Sequence, residues 1–187
     1  MNLELFNKLA RRKYMPSQAI LTWRLFLELC ELYLAKWEIE NPVVVELGVR
    51  TNHQKRFYEE LLNAEHIGID ISNTLYEPDI LGDTRDPQTL KELCEILDGR
   101  RIDILFIDAD HTYEATKSDF EMYSPFCDGI VAFDDIHLSR HKKGNRFNHG
   151  VYKLWDELKR AEEYKNVLFL STHQRRESDG IGMIIKR

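Results

Sequence analysis

Residues 106–137 read FIDADHTYEATKSDFEMYSPFCDGIVAFDDIH, and this stretch decides the fold class. Runs rich in apolar residues at 103–108 and 129–134 are typical of strands buried on both faces of a sheet. Between them, residues 112–123 form an expected helix with Thr112 as its cap. A strand, a helix and a second strand in this order predict a parallel pair joined by a right-handed crossover.

The same alternation extends in both directions along the chain. Upstream, Asn41-Pro42 breaks the chain before VVVEL at 43–47, a β-branched run that predicts another buried strand. The remaining expected elements are helices at about 53–63, 87–98 and 150–163, and strands at 66–70, 79–81, 167–171 and 181–186. Because no helix separates the last two strands, they predict an antiparallel hairpin at one edge. The fold class is therefore α/β, a doubly wound, seven-stranded, mostly parallel sheet.

A further helix is expected before the first strand, within a segment that we assign to residues 1–40. Ser17 is the expected cap, and apolar side chains recur at helical spacing at Trp23, Phe26, Leu27, Cys30 and Leu34. These side chains are interpreted as core that covers the sheet, with a dimerisation face as the alternative. Residues 41–187 then form the main domain.

Composition excludes several classes of protein. With 187 residues, 43% of them hydrophobic, the chain fits one compact domain, and its net charge of -6 gives no reason for non-specific nucleic-acid or membrane binding. Its three cysteines form no CxxC pair, which disfavours a disulfide framework or a cysteine zinc site. The charged opening and the interrupted apolar run 19–37 predict neither a signal peptide nor a membrane span, so a cytoplasmic location is expected.

Acidic residues stand at or near the end of each of the first five expected strands. In an open α/β sheet, ligands bind beyond the carboxyl ends of the strands. A single acid there is commonly only a helix cap, but five together indicate a binding site. These acids are Glu46, Asp70, Asp83, Asp108 and the pair Asp134-Asp135.

The first two strand ends favour a positively charged adenosine derivative as ligand. Asp70 lies about twenty residues beyond the first turn, where nucleotide-binding folds hold ribose hydroxyls through an acid. Gly48 is followed by VRTNH at 49–53 and not by further glycines, which disfavours the pyrophosphate of NAD or FAD. Glu46 would repel a pyrophosphate and favour a cation.

The ends of the fourth and fifth expected strands predict a metal site. Asp108, Asp134 and Asp135 offer only oxygen ligands, which suit Mg²⁺, Mn²⁺ or Ca²⁺; solvated capping acids without a metal are the alternative. His111 is the candidate general base beside this site, although a lone histidine is more often a packing residue. His137 is a weaker candidate, as a group that supports Asp135 or as a loop residue.

DADHTYE at 108–114, AFDDIH at 132–137 and GVYKLWDEL at 150–158 together resemble class I S-adenosylmethionine-dependent O-methyltransferases. The pattern is most similar to the small metal-dependent group that includes cephalosporin-hydroxylase-like and macrolide sugar O-methyltransferases. Catechol and caffeoyl-coenzyme A O-methyltransferases are more distant. The resemblance extends over roughly residues 43–186 and implies a Rossmann-like fold, S-adenosylmethionine as methyl donor and Mg²⁺ or a similar cation.

The resemblance also assigns roles to single residues. It implies that Asp70 binds the ribose hydroxyls, that Asp83 lies near the adenine amine, and that Glu46 and Gly48 open the cofactor turn. His111 falls where catechol-type enzymes place a catalytic lysine. The predicted cofactor contacts are Glu46, Gly48, Arg50, Thr51, Asp70, Ser72, Asp83, Thr84, Asp108 and Ala109; the metal ligands are Asp108, Asp134 and Asp135; the catalytic pair is His111 and Asp108.

This turn departs from the family pattern, because Arg50 and Asn52 replace glycines. Arg50 or Thr51 could instead contact the anionic methionine carboxylate. The predicted reaction is methyl transfer from S-adenosylmethionine to a hydroxyl of a small molecule. Basic residues at Arg140, His141, Lys142, Lys143, Arg146, Arg175 and Arg176 are either solvated loop residues or a lid that attracts an anionic acceptor.

Two other functions remain open. With its altered glycine turn, the chain could bind S-adenosylmethionine or another adenosine ligand without transferring a methyl group. It could also be a nucleic-acid methyltransferase that uses ARRKY at 10–14 and the basic loops. The sequence lacks the Asn-Pro-Pro-aromatic motif expected of amino-directed enzymes of that kind, so no nucleic-acid partner is expected.

Overall fold

The computed structural model describes residues 1–11, 18–137, 150–164, 166–171 and 180–187. The strands are β1 (Val43–Leu47), β2 (Glu65–Asp70), β3 (Ile80–Leu81), β4 (Ile102–Ile107), β5 (Cys127–Phe133), β6 (Asn166–Leu170) and β7 (Ile181–Ile185). The helices are α1 (Leu3–Ala10), α2 (Ile20–Lys36), α3 (Lys55–Leu62), α4 (Pro87–Leu97), α5 (Tyr113–Tyr123) and α6 (Val151–Leu158), with a short 3₁₀ turn at Ser124–Phe126.

Seven strands among the described residues form one sheet in the order β3-β2-β1-β4-β5-β7-β6. The first five strands are parallel, and β7 runs antiparallel between β5 and β6. The chain leaves β1 towards β2 on one side and later returns to β4 on the other side. The predicted doubly wound sheet with an antiparallel hairpin is therefore confirmed, and its topological switch point lies between β1 and β4.

Apolar layers cover both faces of the sheet. Val43, Val45 and Leu47 of β1 belong to a buried cluster that also contains side chains of α4, α5 and α6. Val44 belongs to the cluster on the opposite face, together with side chains of α1, α2 and α3. Successive strand residues point to opposite faces, so burial on both sides explains why VVVEL is an almost uninterrupted apolar run.

The N-terminal helices pack against the second of these layers. Trp23 and Phe26 of α2 are fully buried, with their rings 5.7 Å and 5.3 Å from the ring of Phe106 on β4. The preceding α1, which the sequence did not predict as a separate helix, buries Phe6 against Phe57. The expected cap Ser17 lies outside the described residues.

One predicted helix is shorter than expected. The segment 150–163 forms a helix only over Val151–Leu158. Beyond Leu158, the amides of Arg160 and Ala161 bond to carbonyls three residues earlier, which tightens the last turn and ends the helix. Leu158 is also its last buried residue, so no apolar face extends the helix further. None of the described helices is both long and apolar enough to cross a membrane.

Candidate functional site

A cleft with a volume of ≈ 580 Å³ lies beyond the carboxyl ends of the parallel strands. This volume is in the range of about 300–1,000 Å³ that is usual for small-molecule sites. Most of the predicted site residues line it. The lining residues are Gly48, Val49, Arg50, Gln54, Asp70, Ile71, Asp83, Thr84, Arg85, Asp108, Ala109, Asp110, His111, Asp134 and Asp135.

The turn after β1 forms one wall of the cleft, and its backbone approaches β4 very closely. At Gly48 a Cβ atom would lie 2.3 Å from the carbonyl oxygen of Asp108 and 2.6 Å from the Cα atom of Ala109. Gly48, Arg50 and Asn52 all have positive φ values, of 87°, 44° and 51°. The turn thus keeps left-handed backbone at Arg50 and Asn52, at a cost that functional sites often carry.

Asp70 is fixed at the end of β2. Its Oδ2 atom accepts a hydrogen bond from the amide of Arg50 at 2.7 Å, and its Oδ1 atom accepts one from the amide of Ser72 at 2.9 Å. Each carboxylate oxygen has two lone pairs, so each can accept a further bond. An ordered carboxylate with spare acceptor capacity therefore faces the cleft.

Asp83 and Thr84 line the same side of the cleft. Both carboxylate oxygens of Asp83 accept hydrogen bonds from the Arg85 guanidinium, at 3.0 Å and 2.9 Å. These bonds lower the pKa of Asp83 below its ordinary value. Tyr123 holds the loop from beneath, since its hydroxyl donates to the Thr84 carbonyl at 2.9 Å. Arg85, which pairs with the predicted adenine-side acid Asp83, was not predicted as a site residue.

Three predicted cofactor contacts do not line the cleft. Glu46 is fully buried, and its Oε2 atom lies 2.8 Å from Nε2 of His66 on the neighbouring strand. Burial raises the pKa of Glu46, and the hydrogen bond from His66 opposes this shift. Thr51 is half-buried and Ser72 is exposed. Direct contact of these three residues with the cofactor stays a prediction. The burial of Glu46 agrees with the sequence pattern of β1, which predicts a strand buried on both faces.

The three predicted metal ligands lie together at the ends of β4 and β5. Asp108 and Asp135 are both reached by His111, whose Nε2 atom is 3.3 Å from Asp108 Oδ1 and 3.0 Å from Asp135 Oδ2. Asp108 and Asp134 are both reached by Gln18. Burial raises the pKa of Asp108 well above its ordinary value, and the negative charges of Asp134 and Asp135 raise it further. The cluster therefore favours a neutralising cation or proton.

The donor set of this cluster fits a hard divalent cation. Three carboxylates supply only oxygen atoms, which Mg²⁺, Mn²⁺ and Ca²⁺ prefer. In the described part of the chain, no group of three or more His, Cys, Asp or Glu side chains has an arrangement that could hold a metal ion. Gln18 and His111 bridge the carboxylates in pairs instead. The cluster fits a cation because its ligand atoms are oxygens and because three negative charges lie close together.

Gln18 and Gln54 are site residues that sequence analysis missed. Gln18 is separated from Asp108 by 90 positions and from Asp134 by 116, and it lies next to a segment outside the described residues. No local pattern marks either glutamine. The predicted basic loops at 138–149 and around Arg175 and Arg176 also lie outside the described residues, so their place relative to the cleft stays a prediction.

Residues 50–136 match a family model described as a methyltransferase domain. Over this segment the chain is similar to methyltransferase domains. The matched segment contains most of the cleft, from the turn after β1 to the acids after β5. A comparison with curated protein sequences finds no significant match.

Solved structures show how widely this methyltransferase fold extends over the chain. MycE methyltransferase from the mycinamycin biosynthetic pathway, in complex with Mg, SAH and mycinamycin VI, has a TM-score of 0.65 at 16% identity; the match covers 96% of this chain and 54% of that chain. A putative caffeoyl-CoA O-methyltransferase from Staphylococcus aureus has a TM-score of 0.62 at 18% identity, covering 100% and 93%.

The O-methyltransferase TomG from Streptomyces achromogenes, involved in tomaymycin synthesis and solved in complex with SAM, has a TM-score of 0.61 at 14% identity, covering 99% of this chain and 89% of that chain. The chain thus spans about half the length of MycE but most of the length of the other two. The predicted resemblance to class I S-adenosylmethionine-dependent O-methyltransferases is confirmed.

A buried acid below the cleft makes stability depend on pH. Asp119 on α5 is fully buried, and burial raises its pKa from 3.8 to about 6, although Thr84 and Arg85 partly offset the shift. The folded state therefore holds the Asp119 proton more tightly than the unfolded state does. Ionised Asp119 destabilises the fold, so its cost appears as pH rises through this window.

Asp119→Asn removes this titration. The stability of the variant relative to the parent is expected to increase by about 2 kcal/mol between about pH 4 and pH 7. Urea unfolding at both pH values measures the difference. Asp128→Asn is the control, because Arg101 lowers the pKa of Asp128 and the change should have the opposite sign. A pH-independent difference for Asp119→Asn would contradict the assignment.

Proposed function

We propose that the chain transfers a methyl group from S-adenosylmethionine to a hydroxyl group of a small-molecule acceptor, with a divalent cation at the acid cluster. The observation that carries the proposal is the arrangement of one cleft. Asp70, ordered by two backbone amides, lies at one end of β2, while His111 lies between two carboxylates beyond β4 and β5. A candidate ribose-binding acid and a candidate proton acceptor therefore line one cavity.

Asp70 is assigned to the ribose hydroxyls of the methyl donor. Its spare lone pairs suit two adjacent hydroxyl donors, and a charged acceptor makes such bonds stronger than neutral ones. Asp83, Thr84 and Ala109 also line the cavity and are assigned to the adenine. Arg50 also lines the cavity, and its positive charge suits the methionine carboxylate. S-adenosylmethionine supplies the methyl group as a sulfonium.

Proton removal from the acceptor is assigned to His111. The adjacent carboxylates of Asp108 and Asp135 orient its ring and stabilise the positive charge that it gains with a proton. Asp108, Asp134 and Asp135 would hold the cation, which would lower the pKa of the acceptor hydroxyl. The protein aligns acceptor oxygen and methyl group, and this alignment supplies much of the acceleration.

The acceptor is proposed to be a small molecule, and an anionic one where the basic loops border the cleft. The solved MycE complex contains Mg and mycinamycin VI, a small-molecule precedent in a similar fold. Residues 1–40 are proposed as a cap on the sheet that could also contribute to a homodimer. Burial of Trp23 and Phe26 supports the covering role.

Calorimetric titration with S-adenosylmethionine tests the function, first on metal-stripped protein and then with added Mg²⁺. The expected result is binding at about micromolar concentration, with S-adenosylhomocysteine released when a panel of hydroxyl compounds is added. Binding without release from any acceptor would favour the alternative of a ligand-binding protein. Absence of heat at millimolar donor in both metal states would overturn the proposal.

His111→Asn separates proton removal from cofactor binding. We expect unchanged affinity for S-adenosylmethionine and about a 100-fold slower release of S-adenosylhomocysteine with an accepted substrate. A discontinuous assay of that product measures the rate. His53→Asn is the control, since His53 follows the turn and does not line the cleft. Equal rates for the His111 variant and the parent would remove His111 from this role.

A further inference from the structure

We propose that Gln18 is a positioning residue that holds Asp108 and Asp134 in place for a divalent cation, and that Gln54 acts through Gln18. The inference rests on the proposed function, because it assigns the support of the cation site that this function uses. Gln18 belongs to the N-terminal part of the chain, whereas the acids of the site all follow strands of the sheet.

The Gln18 amide bridges two strand ends. Its Nε2 atom donates to Asp108 Oδ2 at 3.1 Å and to Asp134 Oδ2 at 2.9 Å, and the side chain is only 5% exposed. An amide nitrogen carries two hydrogens, so it can make both bonds at once. Since Asp108 follows β4 and Asp134 follows β5, this single group ties the two carboxylates together.

The orientation of this amide is chemically determined. As ligands of a cation both carboxylates are ionised and only accept hydrogen bonds, so in that state the Gln18 nitrogen faces the two acids and its oxygen faces away. On that side, Gln54 Nε2 donates to Gln18 Oε1 at 3.2 Å. Gln54 is 3% exposed and lies next to the first residue of α3. Gln54 therefore opposes a flip that would turn the Gln18 oxygen towards the carboxylates.

Gln18 supports the acids from behind and leaves the cleft open. Asp108 and Asp134 line the cleft, whereas Gln18 does not. Its bonds to Asp108 and Asp134 are both made to the Oδ2 atom. A group in this place orients cation ligands without competing for the cation, and loss of such a partner typically weakens metal affinity by about 10–100-fold.

The backbone that carries Gln18 is well anchored. Gln18 lies two residues before α2, which begins at Ile20 and buries Trp23 and Phe26 against β4. Asp108 follows the same strand. The amide and one of its carboxylate partners are thus fixed to a common apolar layer, and a positioning role requires this kind of rigidity.

A double-mutant cycle on Mn²⁺ affinity tests the inference without any methyl-transfer assay. Calorimetry and the electron paramagnetic resonance spectrum of Mn²⁺ are measured for the parent, Gln18→Met, Gln54→Met and the double variant. We expect Gln18→Met to weaken Mn²⁺ binding by about 10–100-fold. Gln54→Met should weaken it by about fivefold, the loss of one hydrogen bond. The double variant should bind no more weakly than Gln18→Met alone.

Gln88→Met, on the exposed face of α4, is the matched control and should bind Mn²⁺ like the parent. Titration with S-adenosylhomocysteine reports whether each variant keeps its fold. If Gln18→Met does not fold, Gln54→Met still tests the inference, because it keeps the hydrogen bonds of Gln18 to the two acids.

Parent-like Mn²⁺ affinity in both glutamine variants would overturn the inference, and additive losses in the double variant would overturn the role of Gln54 through Gln18. A parent that binds S-adenosylhomocysteine but no Mn²⁺ overturns the inference and leaves methyl transfer standing; a parent that binds neither overturns both.

Discussion

Asp70→Ala is expected to weaken binding of S-adenosylmethionine and of its demethylated product by about 1,000-fold. Each hydrogen bond from a hydroxyl to a carboxylate contributes about 1.5–3 kcal/mol, and two such bonds are lost together. The same carboxylate also accepts the amides of Arg50 and Ser72, so the variant loses order in the wall of the cleft. Calorimetric titration of parent and variant measures the change.

The control for Asp70→Ala must remove a carboxylate without touching the cleft. Asp98→Asn does so at the exposed end of α4, where the left-handed backbone with a φ of 47° suits asparagine. Its titration should match that of the parent. An Asp70→Ala protein that melts like the parent and binds the donor within about tenfold of it would exclude Asp70 from ribose recognition.

The fold could be predicted because its signals are local. VVVEL at 43–47 and the run before Asp108 predict buried strands from residue type alone, and the missing helix between β6 and β7 predicts the hairpin. The ends of helices were harder to predict, because tertiary contacts determine where a helix stops. The segment 159–163 has helical composition but lacks a buried face, so the helix ends at Leu158.

The candidate site also contains residues that the sequence predicts and residues that only the folded structure reveals. Asp70, Asp108, Asp134 and Asp135 could be placed at one edge because parallel strands present their carboxyl ends together. Gln18 could not, since only the folded chain brings it next to two acids from distant parts of the sequence. No residue spacing in the sequence marks this glutamine. Its place in the site depends on tertiary packing, which the sequence pattern does not show.

Gly48→Ala is expected to destabilise the protein by about 4 kcal/mol or more and to abolish donor binding. An added Cβ would lie 2.3 Å from the Asp108 carbonyl oxygen and 2.6 Å from Ala109 Cα, whereas nonbonded carbon atoms prefer about 3.5–4.0 Å. Both neighbours are backbone atoms at the end of β4, so no side-chain rotation relieves the collision. The strand end would have to move, and it carries Asp108 with it.

Gly99→Ala separates this collision from the cost of the backbone conformation. Gly99 has a φ of +81°, close to the +87° of Gly48, but an added Cβ would meet no atom within 4 Å. The left-handed conformation alone should cost about 1 kcal/mol. Urea unfolding of both variants, with a donor titration of each, therefore isolates the steric part. If both variants lose an equal and small amount of unfolding free energy, the turn and β4 can move apart without harm. The close approach of Gly48 to the end of β4 would then not be required for the function of the cleft.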